Sequence, residues 1–348
     1  MLPHPSDPCL HERCVQSALE YVEMAERKNG PISKPVNFSY IWGDGIEELA
    51  RFSPDARIVN LETSITASED WIAKGINYRM HPGNVPCIAA AEIDCCVLAN
   101  NHVLDWGCAG LADTLRTLRK ANVKPAGAGL NLAEAEAPAA MEIAGEGRVL
   151  VFSFGSMTSG IPPDWAATGD NPGINFLETL SNTEVNRIAA QIHEVKRKRD
   201  VVVASIHWGD NWGWEIPQSE RDFAHKLVNS AAVDVVHGHS SHHLKGIEVY
   251  QGKPILYGCG DFIDDYEGIG GRQEYRSELV LMYFVTIDAG RHDLVRLEMA
   301  PFEIRRFQLN RASEEQVAWL RHVINRESGQ FGVSVRWKSG HNFMLEWR

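Results

Sequence analysis

The chain has 348 residues, 44% apolar and 23% charged with no low-complexity stretch, a balance that suits a globular fold and excludes a disordered chain. Its formal charge of −12 and the lack of a cationic face argue against a nucleic-acid partner, whose phosphates need clustered Lys and Arg. No stretch reads as a membrane span or secretion signal, the N-terminus MLPHPSDPCLHERC being polar from its start, and seven cysteines without paired spacing point to reduced thiols in a cytoplasm.

The first periodic stretch, 15–27, predicts a helix stopped by Asn29-Gly30-Pro31. Trp42-Gly43-Asp44-Gly45 precedes a second helix over 46–52. Asp44 has the look of a metal ligand after a strand, but Ile46, Leu49 and Ala50 follow at helical spacing and favour an N-cap. Residues 57–61 (RIVNL) are the first buried strand and deliver Asn60 and Glu62 at its carboxyl end. Glu62 is either the cap of a turn or, beside the histidines further on, a metal carboxylate. The Pro-bounded stretch 77–82 offers Arg79 and His81, for an anionic substrate or simply for tying down a loop.

The second strand, 95–99 (CCVLA), runs straight into Asn100-Asn101-His102-Val103-Leu104-Asp105-Trp106-Gly107, and a helix over 109–121 follows. His102 and Asp105 are close enough for the carboxylate to orient the ring, as a general acid or base requires. Asn-Asn-His is also good turn chemistry, but the same design recurs at 60–62, 207–210 and 237–243, which favours function. A short strand over 123–126 ends in Gly127-Ala128-Gly129, which lacks the spacing of a nucleotide loop. A strand over 148–154 leads to a long loop, 160–173, carrying Pro162, Pro163, Pro172 and Trp165, of the length common in lids. Amphipathic helices span 178–199 and 219–231, and the run Lys196-Arg197-Lys198-Arg199 closes the first, where cations suit the helix dipole.

Chemistry concentrates in 201–262. Three apolar runs, 201–206, 233–236 and 254–257, end respectively in His207 and Asp210, in His237, His239, His242 and His243, and in Asp261. Side chains just past the carboxyl ends of strands converge in an open α/β sheet, so a metal or hydrolytic site outweighs a solvated His-rich loop. Strand–helix alternation through 262 predicts a layered α/β domain. Beyond it come antiparallel-type strands over 279–287 and 294–301, preceded by a loop over 270–275. A helix over 314–325 follows, capped by Ser313 with Gln316, and then an irregular tail with Trp337 and Trp347. No repeat or linker divides the chain, so one domain is expected over 1–348, with its core at about 36–305 and a C-terminal helix and tail over 306–348.

Taken in order, the motifs Val59-Asn60-Leu61-Glu62, Ala99-Asn100-Asn101-His102 with Asp105 and Gly107, Gly127-Ala128-Gly129, His207-Trp208-Gly209, Gly238-His239 through His242, and 257–262 resemble the CapA-type capsule-synthesis family. These are poly-γ-glutamate biosynthesis proteins with a metallophosphoesterase-like fold, and the resemblance spans about residues 40–301. It implies an α/β/β/α layered sandwich like that of calcineurin-like metallophosphoesterases. It carries metal-ligand roles to Glu62, Asn101, His207, His239 and His242 and puts a proton donor at His102 supported by Asp105; beside these, Arg79, His81 and Asn100 are the candidates for binding substrate. Such mixed ligation suits one or two ions of Mn, Fe or Zn.

The chain also departs from that family. The opening GDxMxGR motif is missing, and Asp44 aligns with a later position that is not a ligand; the expectation is either a truncated start or the loss of a ligand and a strand. The familiar HPH triplet reads Ser240-Ser241-His242, so that His239 substitutes for its first histidine. Leu-Gly-Asn-Phe reads Cys259-Gly260-Asp261-Phe262, which adds Asp261 as a further carboxylate ligand. Two functions follow: a metal-dependent hydrolase or transferase acting on a phosphoester or amide-type bond, or a non-catalytic component of polyglutamate assembly or export that holds an anionic polymer. The charge of −12 weighs against the second except at a local basic patch.

Overall fold

The computed structural model describes residues 1–12, 15–269, 271–338 and 342–348, and its architecture is mixed α/β with several sheets. Ile58–Asn60, Cys95–Val97 and Lys124–Ala126 form a parallel three-stranded sheet in that order. A seven-stranded sheet runs Phe176–Leu177, Gly147–Ser156, Val201–His207, Val235–His239, Lys253–Leu256, Ile247–Tyr250, with Ala139–Ile143 also paired to Gly147–Ser156. Its five inner and leading strands are parallel, and the pairings of Ile247–Tyr250 and Ala139–Ile143 are antiparallel.

Val201–His207 is a continuous apolar run because both of its faces are covered. Val202, Ala204 and Ile206 pack with helices Asn182–Val195 and Gln218–Ser230. On the opposite face, Val203 joins Val151 and Val235 with Cys95, Val97 and Ala126, so both parallel sheets contribute to one apolar cluster. The helix Asn182–Val195 begins where the Ser181 side chain accepts from Glu184 N, and it buries Val185, Ile188, Ala189 and Ile192, the face its spacing predicts. Removing an aliphatic side chain of that kind from water is worth roughly 1.5–3 kcal/mol. Helix Gly107–Lys120 buries Leu111, Leu115 and Leu118 in a second cluster with Leu98 and Ile65.

Three expectations change. Asp44 stands at the N-cap of Gly45–Phe52 but makes no cap bond; its Oδ2 instead accepts from Arg311 N at 2.8 Å, tying the helix to a distant strand. The helix before the basic run ends at Val195, and Lys196 leaves it to bond Asp234 at 3.0 Å, so the run belongs to the connection and not to the last turn. The tail is not irregular: Val333–Lys338 and Asn342–Trp347 pair antiparallel and join Leu294–Ile304 and Leu279–Ile287 in a five-stranded sheet. The period-two pattern of Val333, Val335 and Trp337 carried that strand. Gly270, the first residue of the expected loop over 270–275, lies outside the described residues. Among the described residues no helix is long and apolar enough to cross a membrane.

Two of the edge strands among the described residues line one cleft. Ile58–Asn60 pairs only with Cys95–Val97, and Leu279–Ile287 only with Leu294–Ile304. Ile58 packs into the same apolar cluster as Val285 and Ile287, while Val59 shares the other cluster with Met282 and Phe284. The two strands therefore present their alternate side chains to the same two layers, and both line a cleft of about 1770 Å³. One end of that cleft reaches Glu62, His242 and Asp261.

Candidate functional site

The register of the central sheet sets the first part of the site. Ser205 lies opposite His237 and His207 opposite His239, so four polar side chains share one face of two neighbouring parallel strands. Gly238 between the two histidines has no room for a side chain, since a Cβ there would stand 2.5 Å from Tyr257 O. His207 Nδ1 lies 2.8 Å from His239 Nδ1, and Ser205 Oγ lies 3.0 Å from His239 Nε2 and 2.9 Å from His237 Nδ1. Burial holds His207 and His239 well below the ordinary imidazole range and His237 down at about 4, so all three rings are neutral near pH 7. Both nitrogens of His239 are thus engaged within the chain of contacts. His207 Nε2 is buried without a partner and faces Glu62 Oε1 across 3.9 Å.

Glu62 follows the strand Ile58–Asn60, and Asn60 Nδ2 donates to its Oε2 at 2.9 Å. Burial pushes its carboxyl up to about 7, with Asp261 adding to the rise and His242, Asn60 and Lys74 opposing it. His242 sits beyond Ser240, whose φ of 115° turns the chain out of the strand. Such a non-glycine conformation costs on the order of 1–3 kcal/mol and is held by Ser240 Oγ donating to Gly209 O and His242 N to Asn211 O. His242 Nδ1 is 3.0 Å from both oxygens of Asp261. Burial alone would lower its pKa, but the bond to Asp261 and the nearby Glu62 outweigh it and raise it to about 9. His242 is therefore an imidazolium at neutral pH.

The turn after Cys95–Val97 supplies the third part. Asn100 is fully buried: its Oδ1 accepts from His102 N at 3.1 Å, and its Nδ2 donates to Asn60 Oδ1 and Leu61 O. Asn100 braces the two strand ends. Asn101 Oδ1 is buried with no partner. His102 Nδ1 meets Asp105 Oδ2 at 2.7 Å, and the Tyr78 ring stacks on the imidazole at 3.8 Å. Burial, the largest influence, keeps His102 below its ordinary pKa despite Asp105, with Lys74 and His242 adding to the depression.

Arg79 and His81 border the cleft but are engaged elsewhere. Arg79 Nη1 donates to Ser68 O and Glu69, and its guanidinium lies 4.0 Å over Trp106. His81 Nδ1 accepts from Gly83 N, and its ring stacks on His4 at 4.0 Å. Lys74, which spacing gave no reason to single out, donates to Asp105 Oδ1 at 2.8 Å.

Among the described residues no three His, Cys, Asp or Glu side chains form a group that could hold a metal ion. The donors that do stand ready are of mixed type: the orphaned His207 Nε2, the orphaned Asn101 Oδ1, and Glu62. An imidazole nitrogen and a carboxylate oxygen 3.9 Å apart are close enough for both to reach one ion at about 2.0–2.2 Å.

Comparison with known proteins finds relatives over most of the chain. A protein of Mycobacterium tuberculosis named probable polyglutamine synthesis accessory protein is 44% identical over 337 residues, 96% of this chain and 88% of that protein. The PGA biosynthesis protein CapA of Bacillus subtilis is 26% identical over 70% of this chain and 60% of its own length, and the capsule biosynthesis protein CapA of Bacillus anthracis is 27% identical over 55% and 45%. The family model described as bacterial capsule synthesis protein PGA_cap matches residues 7–266, and the chain belongs to that family.

Proposed function

We propose that this chain serves capsule or poly-γ-glutamate biosynthesis as a metal-dependent hydrolase, acting on a phosphoester or amide-type bond at the carboxyl ends of its parallel strands. The names of its relatives support the biosynthetic role, and the apolar cluster shared by the two parallel sheets, with helices on their outer faces, supports an α/β/β/α layered sandwich of the metallophosphoesterase type. Six described cysteines are free thiols, in keeping with a cytoplasmic setting. The observation that carries the catalytic reading is the buried, unpartnered His207 Nε2 aimed at Glu62.

Glu62, His207 and Asn101 would hold a Mn, Fe or Zn ion. Bound there, a divalent ion supplies a Lewis acid and a water of lowered pKa. The contacts behind His207 suit that role. If His207 Nδ1 donates to His239 Nδ1, His239 Nε2 to Ser205 Oγ, and Ser205 Oγ to His237 Nδ1, every partner is satisfied and His207 Nε2 keeps its lone pair. His242 and Asp261 stand at the edge of the same space, and His242 would have to give up its proton to join. His102, with Nδ1–H directed at Asp105, offers Nε2 for proton transfer at the reacting group. Holding a bare anionic polymer is the weaker reading, because nine Asp and Glu side chains line the cleft against six Lys and Arg, and Glu12, Glu62, Asp261, Asp264 and Asp265 are among the nine.

The test is metal content by mass spectrometry after loading the full chain with Mn²⁺ or Zn²⁺. Wild type should retain at least one ion per chain, and His207→Ala or Glu62→Gln should weaken retention by about 10-fold or more. Equal retention in all three proteins would remove the site. Binding of polyglutamate at low salt without metal retention would favour the polymer-holding role.

A further inference from the structure

Asp105 does more than face His102. Its backbone carbonyl accepts from Ile72 N at 2.8 Å and Asn77 Nδ2 at 3.1 Å, and its Oδ2 accepts from Tyr78 N at 2.7 Å as well as meeting His102. The loop over 67–78 is thus gathered onto one residue, and Lys74 is its cation. Lys74 Nζ donates to Asp105 Oδ1 and to Asn101 O, stands 3.5 Å from His102 Nδ1, and lies 5.1 Å over the ring of Trp165 from the 160–173 loop. The Asp105 side chain is wholly buried, so its charge needs a partner within the protein. Lys74 supplies one, with three-quarters of its own side chain covered.

The two oxygens of Asp105 have different assignments. Oδ1 receives the ammonium, while Oδ2 receives the Tyr78 amide and the imidazole. A carboxylate held at Oδ1 cannot rotate, so Oδ2 stays in line with His102 Nδ1. That alignment fixes the proton on Nδ1 and leaves Nε2 as the free nitrogen. The backbone bond to Asn101 O adds a second anchor on the residue before the imidazole. We propose that Lys74 is a positioning residue, a latch from the 67–78 loop that locks Asp105 and through it the orientation and tautomer of His102. The proposal rests on His102 and Asp105 being the acid–base pair of the proposed hydrolase.

The deciding measurement is NMR of the full chain with ¹⁵N-labelled histidine. Wild type should show a strongly deshielded, slowly exchanging His102 Nδ1 proton, assigned by its loss in Asp105→Asn. Lys74→Arg should keep that proton, and Lys74→Met should broaden or lose it while thermal melting stays cooperative. If Lys74→Met does not fold, Lys74→Ala with added ethylammonium takes its place, and return of the resonance with the amine is the supporting result. An unchanged resonance in Lys74→Met, or in Lys74→Ala without amine, overturns the proposal.

A second arm follows Mn²⁺-loaded protein on bis(p-nitrophenyl) phosphate. Lys74→Met should lower kcat by about 10–100-fold with KM little changed, and Lys74→Arg should restore most of it. A parallel loss of kcat in Lys74→Arg, or a change confined to KM, also counts against the latch. Absence of turnover in wild type strikes at the hydrolase reading alone, because the NMR arm still reports on Lys74.

Discussion

At the scale of single residues, the site is a set of opposed protonation states. His207, His237 and His239 are neutral because they are buried, while His242, only a few residues further along, is charged because Asp261 and Glu62 outweigh its burial. Its pKa is raised from 6.5 to about 9, so the stabilisation from this ion pair is fully present below pH 6.5 and is lost as pH rises through 9. In metal-free protein, Asp261→Asn should therefore lower the unfolding free energy from urea titration most near pH 6, by an amount on the order of 1–3 kcal/mol, and the gap to wild type should close by about pH 10. A gap that stays constant across that range would mean that the loss comes from packing. Residue types at strand ends were legible in the sequence because each follows an apolar run. Their partners were not: that Asn100 turns inward, that His239 is spent on His207 and Ser205, and that Lys74 reaches Asp105 across 31 positions all depend on register and loop path.

At the scale of elements, the strongest local signals gave the most faithful readings. The strand over 279–287 and the start of the helix at 314 match the sequence reading, since one is a long apolar run and the other carries a Ser-x-x-Gln signature. In the structure Gln316 N donates to Ser313 Oγ and Ser313 N to Gln316 Oε1, so each satisfies an otherwise unpaired amide of the first turn. Ser313→Ala should cost about 1 kcal/mol, read as a lower urea midpoint at unchanged slope. No change would mean that packing of Leu320, Val323 and Ile324 alone holds that helix. Ends were harder to read than starts. The strand Val235–His239 continues through two histidines because its neighbours dictate pairing, and the basic run after Val195 contributes ion pairs where a helix terminus was expected.

At the scale of the whole molecule, strand–helix alternation told of parallel sheets flanked by helices, but not of how the strands divide among sheets. That division depends on which edges find partners, and among the described residues Ile58–Asn60 and Leu279–Ile287 stay edge strands. The consequence is a pattern in time, because backbone groups without partners exchange their hydrogens with water. Leu61 N donates to Val97 O, so the alternation of a parallel ladder turns the amides of Ile58 and Asn60 toward the cleft. Ile304 N donates to Glu278 O, which makes the even-numbered residues of Leu279–Ile287 the bonded partners of Leu294–Ile304 and points the amides of Leu281, Tyr283 and Val285 outward. Residue-resolved deuterium uptake should therefore alternate along both strands, fast at 58, 60, 281, 283 and 285 and slow at 59, 282 and 284. Uniform protection would mean that in solution these edges are covered, and that the cleft between them is filled.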